Sequence, residues 1–126
     1  MKIQELADRV GLSVHTIRYY EKEGLLDERH VERDNNNYRH YADEAIERLK
    51  LVKRFQTVGC SLTELKEILQ GLDTNTTTTQ QGIDWVLSKI KEIERKKEEY
   101  DQVLATLNRM LEYKVALQDD PGKKHR

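Results

Sequence analysis

The feature that most limits how this chain can fold is an apolar stripe that returns every seven residues between Ile83 and Leu117. With Ile83 at position a of a heptad, Ile90, Lys97, Leu104 and Leu111 follow at a, while Val86, Ile93, Tyr100, Leu107 and Lys114 take position d. Eight of these ten side chains are apolar or aromatic, and a seam kept over so many turns is a coiled-coil signature. Such a helix is about 50 Å long at roughly 1.5 Å per residue, more than a small neighbouring core can cover. A second copy is the economical partner, since two-fold homodimers are the commonest closed assembly. Ile83, Val86, Ile90, Ile93, Tyr100, Leu104, Leu107 and Leu111 are therefore the expected dimerisation residues. Residues 118–126, rich in charge and carrying Pro121-Gly122, read as a polar tail too short to pair with the stripe.

Composition agrees with a helix-rich, surface-rich molecule, at 37% hydrophobic and 36% charged residues. Net charge is −1, and residues 1–60 hold 11 Lys/Arg against 11 Asp/Glu. Bulk basicity thus does not announce a nucleic-acid partner; only Arg18, Arg33, Arg39 and their neighbours, gathered on one face, would make such a site. The single cysteine, Cys60, excludes an internal disulfide framework and fits a reducing compartment. Its expected role is that of a small buried hydrophobe stapled onto Leu65. With no leader-like segment and no long apolar run, the expectation is a cytoplasmic protein without a membrane partner.

Ahead of the coiled coil, Ile3, Leu6, Ala7 and Val10 recur at helical spacing and Gly11 breaks the pattern. Ser13 then offers a side-chain cap to a second short helix, with Leu12 placed to pack on Ile17. On that helix Val14, Ile17 and Glu21 share one side, His15, Thr16, Tyr19 and Glu23 the other, with Arg18 and Tyr20 on the flanks. Gly24 stands where a left-handed cap residue is wanted, and Leu25-Leu26 return to the core. Two short helices across a glycine turn form a helix-turn-helix candidate whose second, polar helix would read DNA.

Asp34-Asn35-Asn36-Asn37, followed by Tyr38-Arg39-His40-Tyr41, reads as a hairpin, the wing of a winged helix-turn-helix. Arg33, Tyr38, Arg39 and His40 give it donors suited to phosphate, and Tyr41 is expected in the core. His15, His30 and His40 all fall where DNA contact or solvent accounts for them. A third helix runs from Asp43 to Val58 with Ala45, Ile46, Leu49, Val52 and Phe55 inward. Gly59 ends it, and Ser61 with Glu64 forms a capping box for a fourth helix, Leu62 to Gln70, stopped by Gly71. The domain plan is residues 1–71, a Thr-rich linker over 72–82, the long helix over 83–117 and the tail. No phosphate loop, zinc-spaced His/Cys set or nucleophile with a base is present, so an enzyme is not expected.

In this order the chain resembles the MerR family of bacterial transcription regulators from end to end. The resemblance is carried by Ile3-Gln4-Glu5-Leu6-Ala7, by Thr16-Ile17-Arg18-Tyr19-Tyr20-Glu21 with Gly24-Leu25-Leu26, by Tyr38-Arg39-His40-Tyr41, and by Gly59-Cys60-Ser61-Leu62 with Glu64-Leu65. It implies a mainly α winged helix-turn-helix domain with a long helix forming an antiparallel coiled-coil dimer. It implies that Arg18 and Tyr19 work at the DNA, that Tyr38 and Arg39 of the wing hold the backbone and that Tyr20 braces helix and wing; His15, Thr16 and Lys22 of the same helix and Arg33 of the wing are the further expected DNA contacts. The implied target is an inverted repeat inside a promoter with an over-long spacer, which the dimer distorts so that RNA polymerase can use it.

Two positions depart from the family pattern: Asn37 stands where the wing turn usually has Gly, and Ala42 where a Ser or Thr cap is common. No metal or other cofactor is expected, because the family's thiolate sensors carry cysteines beyond the long helix and residues 118–126 have none. A shallow pocket using Trp85 and Tyr113 for an apolar or aromatic effector is the remaining expectation. The alternative function is an architectural DNA-binding protein that bridges or anchors sites without an effector.

Overall fold

Glycine and serine punctuation sets the first half of the molecule, seen here in a computed structural model that describes residues 1–119. Helix α1 (Ile3–Val10) ends on Gly11, and α2 (Val14–Lys22) begins at Ser13, whose Oγ accepts from the Thr16 amide. At the far end of α2 Gly24 takes φ +83°, which lets the Leu25 amide reach the Tyr20 carbonyl and the Gly24 amide reach that of Glu21. That pair of bonds is the Schellman motif, and it turns the chain sharply back toward the core at Leu25 and Leu26.

A two-stranded antiparallel sheet follows, β1 (Val31–Arg33) and β2 (Arg39–Tyr41), with Val31 opposite Tyr41 and Arg33 opposite Arg39. The N-terminal segment lies beside β2, Met1 and Tyr41 exchanging backbone bonds at 2.7 Å. Helix α3 (Asp43–Thr57) starts at Ala42, which supplies no side-chain cap. The Ala42 amide instead donates to the His30 carbonyl at 2.8 Å, tying the helix start to the loop before the wing. Helix α4 (Leu62–Asp73) carries the full Ser61–Glu64 capping box.

Residues Met1–Thr78 form one unit around a single core, to which α1 gives Leu6, Ala7 and Val10, α2 gives Ile17 and Tyr20, α3 gives Ala45, Leu49 and Val52, and α4 gives Leu65 and Leu69. Each buried aliphatic side chain contributes about 1.5–3 kcal/mol of transfer free energy. Lys53 reaches across from α3 to donate to the Val10 carbonyl at 2.8 Å, a cation at the negative end of α1.

The second unit begins at Thr79 with α5 (Thr79–Asp119), in which no residue is buried. Pairs one turn apart, such as Lys96 with Glu92 and Lys89 with Glu92, lie along this helix. The loop between the helices is shorter than the residues 72–82 expected. Gly71 lies inside α4 because the last turn is fastened from outside it. Thr74 Oγ1 bonds the Gln70 carbonyl, the Thr76 and Thr77 amides reach the Gly71 carbonyl, and the Asp73 carboxylate is held by two arginines. Glycine's helix penalty of about 1 kcal/mol is offset by these bonds. Thr79 to Gly82, expected in the loop, are helical, and Gln80 bonds Asp84 one turn on. Of the expected tail, residues 120–126 lie outside the described residues.

Candidate nucleic-acid interface

Helix α2 divides its side chains sharply. Ile17 and Tyr20 are buried, whereas His15, Arg18, Tyr19 and Lys22 are exposed, Tyr19 at 45%. Thr16 is half-buried and tied to the cap, its Oγ1 accepting from Ser13 Oγ at 2.8 Å. Arg18 enters no ion pair or hydrogen bond among the described residues.

The wing is fixed to this helix by Glu21. Arg39 Nε donates to one carboxylate oxygen of Glu21 at 2.7 Å and the Tyr41 hydroxyl to the other at 2.9 Å. Tyr41 is 2% exposed, and burial, reinforced by the Glu21 bond, pushes its phenol up to about 12, so it remains a donor. The expected brace, Tyr20, serves another contact: its hydroxyl donates to Gln56 Oε1 on α3, joining α2 to the core helix rather than to the wing. The difference is one of direction on the helix, since Tyr20 points inward and Glu21 a further 100° round.

The wing turn is built on Asp34. Its Oδ1 accepts from the amides of Asn36 and Tyr38, and its Oδ2 sits 2.9 Å from His40 Nε2. The His40 bond, with the Tyr38 amide, holds the Asp34 carboxyl below its usual range. Asn37 takes φ +65°, the left-handed conformation for which Asn is the best substitute for Gly, and its side chain accepts from Arg33 at 3.1 Å. Tyr38 is 60% exposed at the wing's edge, with Lys2 Nζ 4.9 Å from its ring centroid.

Between α2 and the wing lies a notch of about 190 Å³ lined by Lys2, Ile3, Arg18, Asn37, Tyr38 and Arg39. No carboxylate lines it, and of its three cations Arg39 is paired, with Glu21. The structure thus gathers Arg18, Tyr38 and Arg39, residues 20 positions apart, and adds Lys2, which the sequence reading passed over. Arg33 does not line the notch but bonds Asn37, which does, and His15, Tyr19 and Lys22 lie along the exposed face of α2.

His30 corrects another expectation, because it is 5% exposed and belongs to the core rather than to solvent or DNA. Its Nδ1 accepts the Asp27 amide at 3.0 Å. Beside it, Arg48 clasps Asp73 with both terminal nitrogens, at 2.9 and 2.6 Å, and gives its Nε to the Leu25 carbonyl. Arg29 bridges Asp27 and Asp73. The Arg48 bonds, aided by Arg29 against the effect of burial, draw the Asp73 carboxyl down to about 2.

On α5 the eight seam residues remain near half exposure, from 47% for Ile83 to 69% for Tyr100. Trp85 and Tyr113 are 28 residues apart on that one helix, about 42 Å at roughly 1.5 Å per residue, so they do not meet within a single chain. Lys89 Nζ lies 5.7 Å from the Trp85 ring centroid. Among the described residues no three His, Cys, Asp or Glu groups are disposed to hold a metal ion.

A helix-turn-helix locked to a two-stranded wing, with a cation-lined notch between them, defines a winged helix-turn-helix DNA-binding domain. The comparison with known proteins identifies its lineage. Residues 1–72 match the model for the MerR HTH family regulatory protein, and residues 46–110 that for MerR, DNA binding. The mercuric resistance operon regulatory protein of Bacillus cereus is 37% identical over 102 residues, covering 81% of this chain and 76% of its own. The ZntR homolog of Haemophilus influenzae, an HTH-type transcriptional regulator, is 34% identical over 124 residues, 98% and 90% of the two chains. Among solved structures, HiNmlR, a MerR family regulator lacking the sensor domain and bound to promoter DNA, superposes with a TM-score of 0.66. That match covers 95% of this chain and 94% of HiNmlR at 23% identity, a likeness of fold. The chain belongs to the MerR family of DNA-binding transcriptional regulators.

Proposed function

We propose that this protein acts as a homodimer on an inverted repeat within a promoter, and alters transcription by RNA polymerase through distortion of the DNA. The observation that carries this reading is the notch: Arg18 of the recognition helix and Tyr38 and Arg39 of the wing converge on one space, and Glu21 fixes their relative placement. Two such elements held rigidly together suit a single run of backbone phosphates, while His15, Thr16, Tyr19 and Lys22 face outward toward a groove. Phosphate contacts set position and affinity, and deformation of an over-long spacer supplies the regulatory effect.

Dimerisation rests on the seam of α5. Eight apolar or aromatic side chains near half exposure along a 41-residue helix make a stripe that water does not tolerate for long. An antiparallel arrangement would bring Trp85 of one copy toward Tyr113 of the other, and an apolar or aromatic effector there is the signal we favour. The relative named for mercuric resistance does not carry over in this respect, because one cysteine, Cys60, cannot supply a set of several thiolates. The cytoplasm is the compartment this role requires.

The test is a footprint of the purified protein on DNA upstream of its own gene, with transcription by polymerase read from the same fragment. Protection of an inverted repeat inside a lengthened spacer, with a change in transcript, is the expected result. Protection scattered along the fragment, with no change in transcript, would overturn the promoter reading in favour of an architectural protein.

A further inference from the structure

We infer that Lys2, held against Tyr38, is an additional phosphate-binding residue, completing a three-cation notch with Arg18 and Arg39. The inference rests on the DNA-binding reading above and deepens it. Lys2 is the N-cap residue of α1, where its donor-only ammonium has no capping role and is free to point elsewhere. It has no ion pair among the described residues, and its one partner is the Tyr38 ring, 4.9 Å from Nζ.

That contact has a directional consequence. A lysine on a four-carbon stem is ordinarily a mobile, solvated charge; laid over an aromatic face it is confined to one side of the ring. Lys2 and that ring both line the notch, together with Arg18 and Arg39, and no carboxylate lines it. Arg39 has part of its charge answered by Glu21, but Lys2 and Arg18 do not share that relief. Gathering like charges without an anion raises the energy of the empty site, and a bound anion removes the cost. At about 190 Å³ the space suits one phosphate group rather than a large ligand. The chemistry is that of a DNA phosphodiester, because the notch opens beside the outward face of the recognition helix.

Each phosphate neutralised on B-DNA contributes about −0.9 to the slope of log affinity against log salt. The experiment measures that slope for full-length protein on its operator, comparing the wild type with Lys2→Gln, Lys2→Arg and Arg18→Ala, with a thermal melt of each. Lys2→Gln should melt like the wild type, bind roughly threefold or more weakly for each protomer engaged, and show a slope shallower by about 0.9 per protomer. Lys2→Arg, which keeps a charge that stacks on aromatic faces, should restore the slope. A Lys2→Gln slope equal to that of the wild type, with Arg18→Ala severely impaired, overturns the role of Lys2 and leaves the interface standing. Arg18→Ala binding as tightly as the wild type overturns the interface reading and this inference together.

Discussion

Arg39 and Glu21, 18 residues apart in the chain, meet at 2.7 Å, so the wing and the recognition helix are two ends of one ion pair. The pair is partly shielded, Glu21 retaining 17% side-chain exposure and Arg39 36%, and its second carboxylate oxygen is occupied by the buried Tyr41 hydroxyl. The same carboxylate that orients Arg39 also satisfies Tyr41. Losing it would leave a buried donor unpaired.

Glu21→Ala should therefore cost about 1–3 kcal/mol of stability and weaken DNA binding, because the wing no longer has a fixed angle to α2. Glu21→Gln keeps an acceptor for Tyr41 and should recover most of the stability but not all of the binding. Urea denaturation beside a binding titration separates the two. Equal stability for the wild type and Glu21→Ala would show that the clamp is not holding the wing.

The wing turn offers a test of backbone geometry. Asn37→Gly should leave stability within about 1 kcal/mol, since glycine takes positive φ freely but gives up the bond to Arg33. Asn37→Val should cost more, as a β-branched residue resists φ +65°. Hydrogen exchange at Asp34, whose amide donates to the Tyr38 carbonyl across the hairpin at 3.0 Å, reports the wing directly. Protection unchanged in Asn37→Val would contradict the argument.

Acid should destabilise the first unit in two stages. Burial lowers the folded-state affinity of His30 for a proton, with Asp27 partly opposing and Arg48 and Arg29 assisting. The unfolded chain then binds the extra proton first, so stability is complete above about pH 6.5 and falls as the pH drops below it. Asp73, drawn down to about 2, adds a second loss below the usual carboxylate range near pH 4. His30→Gln should abolish the upper stage and leave the lower one. A stability profile for His30→Gln identical to that of the wild type between pH 7 and 5 would refute the assignment.

On α5, Leu104→Glu places a charge in the proposed seam of each copy. Truncating a buried leucine alone costs about 2–5 kcal/mol, and two copies feel the change, so the protein should sediment as a monomer with loss of helical signal. A retained dimer would mean that another face joins the copies.

What the residues disclosed in advance was what is local. Ser13, Gly24 and the Ser61–Glu64 box declare themselves within a turn or two, and the seven-residue stripe needs only counting. Helical periodicity puts Glu21 on the side of Val14 and Ile17, and an acid on an apolar face calls for a donor to meet it. Which donor could not be read, because Arg39 and Tyr41 arrive through a hairpin whose register the period does not encode. The same holds for Tyr20 with Gln56, 36 residues apart, and Arg48 with Asp73, 25 apart. His30 has polar neighbours in sequence, which point to DNA contact or solvent; only the fold brings it close enough to Arg48 of α3 and Asp73 of α4 for their charges to act on it. Lys2 was invisible for a simpler reason, namely that a single lysine before a helix carries no pattern.

Asp73 is the last helical residue before the loop of residues 74–78, and two guanidinium groups hold it. One of them, Arg48, also grips the Leu25 carbonyl, immediately after the turn that closes the recognition helix. The carboxylate that closes α4 and the turn that closes α2 are thus joined through a single arginine. Replacing Arg48 would therefore release two helix ends with one substitution.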